Sequence, residues 1–502
     1  MSYQPPCHPG EVLQQLDIEE ALAPHDPRYI DTRAARGSEQ NFKRFARKFG
    51  VSQRDSRVFR PTQRHVLFFG HIGSGKTTEL RRYIDDLSRP GRFFTVEVDI
   101  NAMLDRHNLQ YADVLMAMAR ALLERLRDEG VALPGDALCE LESWFADKVL
   151  SHEETRELAV GVETSVTAQG GFPYVLALLG RFTTAFKNNH TYKESLRRVI
   201  RNAFADFAVA FNALLRRAEE TLNSANKALR VLFLIDGTDK LRGEDTRLFF
   251  VYDVEQLLAI TALAVYTAPI TLKYESNLAG KLDADLVLPM IKLYEKDGGR
   301  CDAGWDAMRD LLLRRADHSL FASDAEIERM IAHSGGHPRE LLRLLKLCCE
   351  FAEDDVLDGV TVDLAIKQLA AEYRRFLEPD DYALLARIDG DDVHAGNDER
   401  TRRLLYTTWR CSNTTMHPGG VAIRWYAPWK VICAPVRTCP RPLGTKQPRD
   451  EGRPVPLRSR PPLGGDDVAA RTCRRFSAPG QNAAPWQPIP TPVRRIYRSG
   501  LS

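Results

Sequence analysis

The chain has 502 residues, 44% hydrophobic and 27% charged, with a formal net charge of +2. That is enough for two or three domains with sizeable cores, in the composition of an ordinary water-soluble globular protein. No stretch reaches the roughly 18 apolar residues of a membrane helix, and no charged segment followed by an apolar run marks an export signal. The nine cysteines include no C-x-x-C pair, and the adjacent Cys348 and Cys349 fall in a helical pattern. Neither a zinc site nor a disulfide framework is indicated, and a reducing cytoplasm is the expected compartment. The small net charge hides an asymmetry. From Thr408 onward sixteen Lys and Arg face four Asp and Glu, so the body before it carries −10. An acidic body speaks against a broad nucleic-acid footprint there.

Residues 11–22 read as a short helix. Residues 42–49 read as another, because Phe42, Phe45, Ala46 and Phe49 recur at 3–4 spacing. Arg36 and Gly37 precede the first strand, where many phosphate-loop proteins hold an adenine ring; a plain surface loop is the other reading. The apolar run 66–69 is a short buried strand. Gly70, Gly75, Lys76 and Thr77 then fit G-x-x-x-x-G-K-[ST], with His71, Ile72, Gly73 and Ser74 between them. Leu80, Tyr83, Ile84 and Leu87 continue at helical spacing. Strand, glycine-rich turn and helix together make a polyphosphate cradle. Backbone N–H groups from Gly70 to Thr78 point inward, and the helix N-terminus adds its positive end. Lys76 reaches the β- and γ-phosphates, and the Thr77 hydroxyl binds Mg²⁺. The expected ligands are therefore ATP and Mg²⁺.

Residues 93–100 form a second strand, which completes a βαβ unit and implies a parallel sheet. Residues 111–126 are helical. Residues 130–228 are long for one crossover. Within them, 151–174 holds Gly161, Gly170, Gly171 and Pro173 without periodicity and reads as a loop or hairpin. Residues 192–228 read as a long amphipathic helix or helix pair. Leu196, Ile200, Phe204, Phe207, Phe211, Leu214 and Leu215 share one face; Arg197, Arg198, Arg201, Arg216 and Arg217 share the other. A solvated helical insert is the plainer reading, and a partner or nucleic-acid surface the sharper one.

Five apolar residues then end in Asp236, which puts a carboxylate at the C-terminal end of a buried strand beside the first, where it serves Mg²⁺ opposite Thr77. Asp239, three residues on, either aims at the attacking water or caps a turn. Residues 262–267 form another strand, with Thr267 at its end as a γ-phosphate sensor or an ordinary strand terminus. Residues 285–293 form the last short strand and the exit. Residues 305–315 are helical, and Arg314 and Arg315 after them read as an arginine finger to a neighbour or as helix-terminal charge. Further helices cover 325–331 and 362–376. Gly335 and Gly336 end one helix, and Pro338 suits the first turn of the next. Together these form a helical lid.

The phosphate loop, the Asp236-Gly-Thr-Asp239 segment, the Thr267-Ala-Pro strand end and the Gly335-Gly-His-Pro-Arg339 helix start occur in that order. In this the chain resembles the AAA+/STAND branch of phosphate-loop ATPases, most closely the bacterial Orc-like AAA ATPases, over residues 26–406. The resemblance implies a three-layer α/β core, a helical lid and a following winged helix. It places the second acid of STAND proteins at Asp239 and their Gly-x-Pro motif at Gly336-His337-Pro338. It makes Arg339 the lid arginine that contacts the γ-phosphate. One departure stands out: AAA+ ATPases carry a general-base Glu directly after the metal-binding Asp, and that position here is Gly237.

The expected organisation is an N-terminal segment 1–60, an ATPase core 61–320 with a helical insert 130–228, a lid 321–377, a partial winged helix 378–407 and a tail 408–502. The tail holds fifteen of the 28 prolines and no periodicity. It reads as disordered, as translated out of frame, or as a basic nucleic-acid-binding arm. Catalytic roles fall to Lys76, Asp236, Asp239 and Arg339. Beyond ATP, a protein partner, a homo-oligomer and nucleic acid are the candidate partners; a membrane is not.

Overall fold

The computed structural model describes residues 3–51, 64–88, 91–105, 108–153, 156, 171–241, 243–274, 278, 281–295, 298–353, 355–375, 377–390, 399–407, 412–417 and 420–425. One parallel sheet holds β1 (Arg64–Gly70), β2 (Phe93–Asp99), β3 (Arg230–Asp236), β4 (Leu263–Pro269) and β5 (Asp283–Val287), in the order β2-β3-β4-β1-β5. Strands covered on both faces read as near-continuous apolar runs, which is why the sequence announces them. Period-two alternation divides β1 between two cores. Val66 and Phe68 pack with Phe45, Phe49, Leu80 and Tyr83 on one face. Leu67 and Phe69 join the larger core on the other, with the insert helices. The result is a three-layer α/β architecture, a parallel sheet with a core on each face.

The sequence reading sets Asp236 on the strand beside β1, but the structure puts β4 there and β3 one position further out. The crossover from β1 to β2 leaves two vacant positions, which the later β3 and β4 fill. An apolar pattern identifies strands without ordering them, because consecutive strands are often not neighbours. The register still aligns the strand ends. Asp99 pairs with Asp236, Ile235 with Tyr266, and Gly70 with Pro269. Gly70, Asp99, Asp236 and Thr267 therefore stand along one carboxyl edge, where open α/β sheets bind ligands.

The insert is helical, with Cys139–Trp144, Gly171–Asn188, His190–Asn202 and Phe204–Ser224. Helix Gly171–Asn188 starts inside the stretch read as a loop or hairpin. Gly171 takes φ +78° and Pro173 lies in the first turn, a helix entry rather than a hairpin. Residues 157–170 lie outside the described residues. Of the arginines assigned to the polar face, Arg198, Arg201, Arg216 and Arg217 are exposed. Arg197 is instead buried, and its Nε donates to Asp113 Oδ1 at 2.9 Å. The ion pair ties the insert to helix Tyr111–Asp128.

Helices Asp302–Leu313, Asp324–Ser334, Pro338–Phe351 and Gly359–Arg374 surround a second core of Met308, Leu312, Ile327, Leu341 and Leu345. Helix Asp302–Leu313, read as part of the sheet domain, packs instead in this second core with the helices that the sequence reading takes as a lid. Val12 of helix Pro9–Gln15 also enters it. The expected helix at 11–22 is shorter and earlier, and the chain beyond it crosses toward the phosphate loop. Helices Pro379–Gly390 and Glu399–Thr407 follow. Strands β6 (Ser412–His417) and β7 (Gly420–Trp425) pair antiparallel inside the stretch read as unstructured. The tail from residue 426 lies outside the described residues. Among the described residues no helix is long and apolar enough to cross a membrane.

Candidate functional site

Gly73 and Gly75 turn the chain with φ +77° and +88°, and Gly75 caps helix Lys76–Leu87. The Lys76 side chain folds beneath this turn. Its Nζ donates to the carbonyls of Gly70 (3.1 Å) and His71 (2.8 Å) and lies 2.7 Å from Asp239 Oδ2. The Thr77 hydroxyl donates to Asp236, 2.9 Å from Oδ1 and 3.1 Å from Oδ2. Thr77 thus meets Asp236 as the sequence reading expects, although a strand separates β1 from β3; the Lys76–Asp239 ion pair is not part of that reading. Asp239 sits in a short turn, Thr238–Lys240, fastened to β4. Gly237 N–H donates to Thr267 Oγ1 at 3.0 Å, and the Thr238 hydroxyl donates to the Thr267 carbonyl at 2.5 Å. Thr267, read as a γ-phosphate sensor or an ordinary strand terminus, here bonds this turn through its hydroxyl and its carbonyl.

Burial pushes the Asp236 carboxyl above the usual carboxylate range, and the charge of Asp239 adds to the shift; the Thr77 hydrogen bond and Lys76 oppose it. Burial, with Lys76 nearby, pushes His71 down to about 3, so its ring is neutral. An oxygen-only pair of hydroxyl and carboxylate suits a hard cation such as Mg²⁺. Among the described residues no group of three or more His, Cys, Asp or Glu could hold a metal.

Arg36 is buried against the phosphate loop and is no surface-loop residue. Its Nη2 donates to the Ser74 carbonyl (2.8 Å), Nη1 to the Pro289 carbonyl (2.5 Å) and Nε to Thr32 Oγ1 (2.7 Å). Glu79 lies 3.9 Å from Nε and also accepts from Thr32. One guanidinium thereby joins the N-terminal segment, the phosphate loop and the exit from β5. Burial lowers the Arg36 pKa and raises that of Glu79, so each charge depends on the other. Arg36→Met leaves Glu79 buried without its counter-ion. The expected loss is about 3–5 kcal/mol of unfolding free energy, measured by urea titration; a loss under about 1 kcal/mol contradicts this role. The N-terminal segment continues over the helix start, where Leu22 N–H donates to Thr78 Oγ1 at 3.1 Å and Arg81 Nη1 to the Ala21 carbonyl at 2.6 Å.

Helix Pro338–Phe351, in the region read as a lid, reaches the same loop. His337 caps helix Pro338–Phe351: its Nδ1 accepts from Glu340 N–H at 3.3 Å, so Nε2 carries the proton and donates to the Ile72 carbonyl at 3.0 Å. A Cβ on Gly73 would come within 2.8 Å of His337 Cε1 and 2.9 Å of Arg339 Cβ, so only glycine lets the lid approach this closely. Arg339 Nη2 donates to Glu19 at 2.7 Å. Arg339 lines a cavity of about 430 Å³ with the phosphate loop, Asp236 and Asp239. That volume lies within the range of small-molecule sites. Ile18, Tyr29, Ile30, Leu311 and Leu342 form its apolar side. Of the two candidate finger arginines, Arg314 bonds the Pro27 carbonyl while Arg315 lines this chain's own cavity. Burial and the Arg28 charge push the Arg315 pKa down to about 10. Sequence reasoning did not find the clamp at Arg36 or the loop contact of His337. For His337 the place before Pro338 is a usable signal, since Pro at the first helical position makes its predecessor the cap. For Arg36 there is none.

No family model matches the chain, and no curated protein matches it. Among solved structures it is similar to Cdc6p from Pyrobaculum aerophilum. Identity is 12% and the TM-score 0.33, over 84% of this chain and 96% of that one.

Proposed function

We propose that this protein is a phosphate-loop ATPase of AAA+/STAND type. The observation that carries the reading is the meeting of Thr77 with Asp236 beside a buried Lys76, at the carboxyl edge of the sheet. ATP would lie along the cavity, its phosphates on the amides of the Gly70–Thr78 loop and on Lys76, its base toward Tyr29, Ile30 and Leu342. Mg²⁺, held by Thr77 and Asp236, would neutralise charge on the β- and γ-oxygens. Asp239 would help place the attacking water, and Arg339 would exchange Glu19 for the γ-phosphate. His337 already joins the lid to the loop, so nucleotide contacts at Gly73 would bias the lid.

Gly237 in the general-base position favours a second reading within this one, a slow nucleotide switch in the cytoplasm whose output goes to a separate protein partner. Turnover measured alone, with DNA and after gel filtration separates the classes. Fast basal turnover marks a remodelling ATPase, bound nucleotide with little turnover a switch, and stimulation by DNA a nucleic-acid-binding ATPase acting through helices at 378–407. Failure to bind ATP in a calorimetric titration contradicts the whole proposal.

A further inference from the structure

We infer that Glu19 sets how far the site favours ATP over ADP, by competing with the γ-phosphate for Arg339; the inference rests on the ATPase reading above. Arg339 Nη2 donates to Glu19 Oε2 at 2.7 Å, and both residues line the cavity. The two partners are placed unequally. The stem of Arg339 lies against the phosphate loop, with its Cδ 2.9 Å from where a Cβ on Gly73 would stand. Its side chain is 15% exposed, against 56% for Glu19. The guanidinium is thus fixed at the loop. The carboxylate reaches it from the solvent side and can turn back into water at little cost.

Residues 17–22 bring Glu19 to this position, and bonds at successive residues hold them there. Glu19 N–H donates to Asp17 Oδ1 at 2.8 Å. Glu20 accepts from both Nη atoms of Arg28, each at 2.7 Å. The Ala21 carbonyl accepts from Arg81, and Leu22 N–H donates to Thr78 Oγ1, next to the metal-side Thr77. None of these bonds uses the Glu19 side chain, so the segment stays in place when that carboxylate leaves Arg339.

The γ-phosphate is what distinguishes ATP from ADP, and Arg339 is its proposed partner. At a guanidinium that already carries a carboxylate, the γ-phosphate either displaces Glu19, breaking an ion pair, or sits beside it and bears the repulsion of two anions. Both outcomes weaken ATP. ADP brings no group to Arg339 and leaves the pair intact. Glu19 is therefore a built-in competitor of the γ-phosphate alone. By linkage, the factor by which the pair weakens ATP binding is also the factor by which bound ATP weakens the pair. The same contact thus carries the triphosphate state of the site to the N-terminal segment.

The test is a calorimetric titration with Mg²⁺ and either ADP or a non-hydrolysable ATP analogue, adenylyl imidodiphosphate. It compares the wild type, Glu19→Gln, Arg339→Gln and the double variant. Glu19→Gln keeps the shape and removes the charge. It should tighten the analogue roughly three- to fivefold, the size of a partly exposed ion pair, and leave ADP affinity unchanged. In the Arg339→Gln background the same substitution should change neither affinity. No gain for the analogue, an equal gain for ADP, or the full gain without Arg339 each overturns the inference; the last two would mean a loosened segment or a general relief of charge. If Arg339→Gln does not fold, the comparison of analogue with ADP in Glu19→Gln decides. A wild-type chain that binds neither nucleotide overturns the ATPase reading itself.

Discussion

Lys76→Ala is expected to lose ATP affinity by more than about 100-fold in a calorimetric titration, since each charge-assisted bond to a phosphate contributes roughly 1.5–3 kcal/mol and Lys76 would supply more than one. The structure adds a second consequence. Lys76 is the counter-ion at 2.7 Å from Asp239 and is itself buried. Removing it leaves a carboxylate uncompensated, at a cost of about 3–5 kcal/mol. A weakened titration could then reflect unfolding rather than a lost contact. The double variant Lys76→Ala, Asp239→Asn separates the two, because it removes both charges. It should recover most of the melting temperature and none of the affinity. Affinity close to wild type in the double variant would remove Lys76 from the nucleotide site.

The glycine turn, the strands and the helices beyond them were legible because each rests on local chemistry. β1 and β3 are unbroken apolar runs that end on a glycine turn or a carboxylate. The lid helix shows its start in Gly335, Gly336 and Pro338. What the sequence conceals is non-local. The place of β4 between β1 and β3 depends on crossovers and packing that no window of residues contains. Arg36 meets partners 38 and 253 residues away, and its neighbours Ala35 and Gly37 look like any loop. Arg197 followed the helical period onto the polar face, yet a single buried Asp113 draws it inward. Periodicity ranks faces by average polarity and is blind to one ion pair.

Asp236→Asn should reduce Mg²⁺-dependent turnover by 100-fold or more, roughly the loss of a few kcal/mol of transition-state stabilisation, while making the folded protein more stable at neutral pH. Both effects follow from one placement. Asp236 faces Thr77 at the expected metal position, and its carboxylate is resisted by burial and by Asp239. Its folded-state pKa is raised above the unfolded value. The stability linked to this group is therefore fully present below the unfolded pKa and is lost as pH rises through the folded one. Asparagine keeps an oxygen to accept from Thr77 and never ionises, so it escapes that loss. The difference in melting temperature, variant minus wild type, should be near zero in acid and grow as pH rises to neutrality, where each kcal/mol shifts melting by roughly 2–4 °C. Saturating Mg²⁺ and ATP should shrink the difference, because bound ligand stabilises the wild type preferentially. A variant that melts below wild type at neutral pH without ligand would mean that Asp236 chiefly supports the fold. A variant that retains Mg²⁺-dependent turnover would remove Asp236 from the metal.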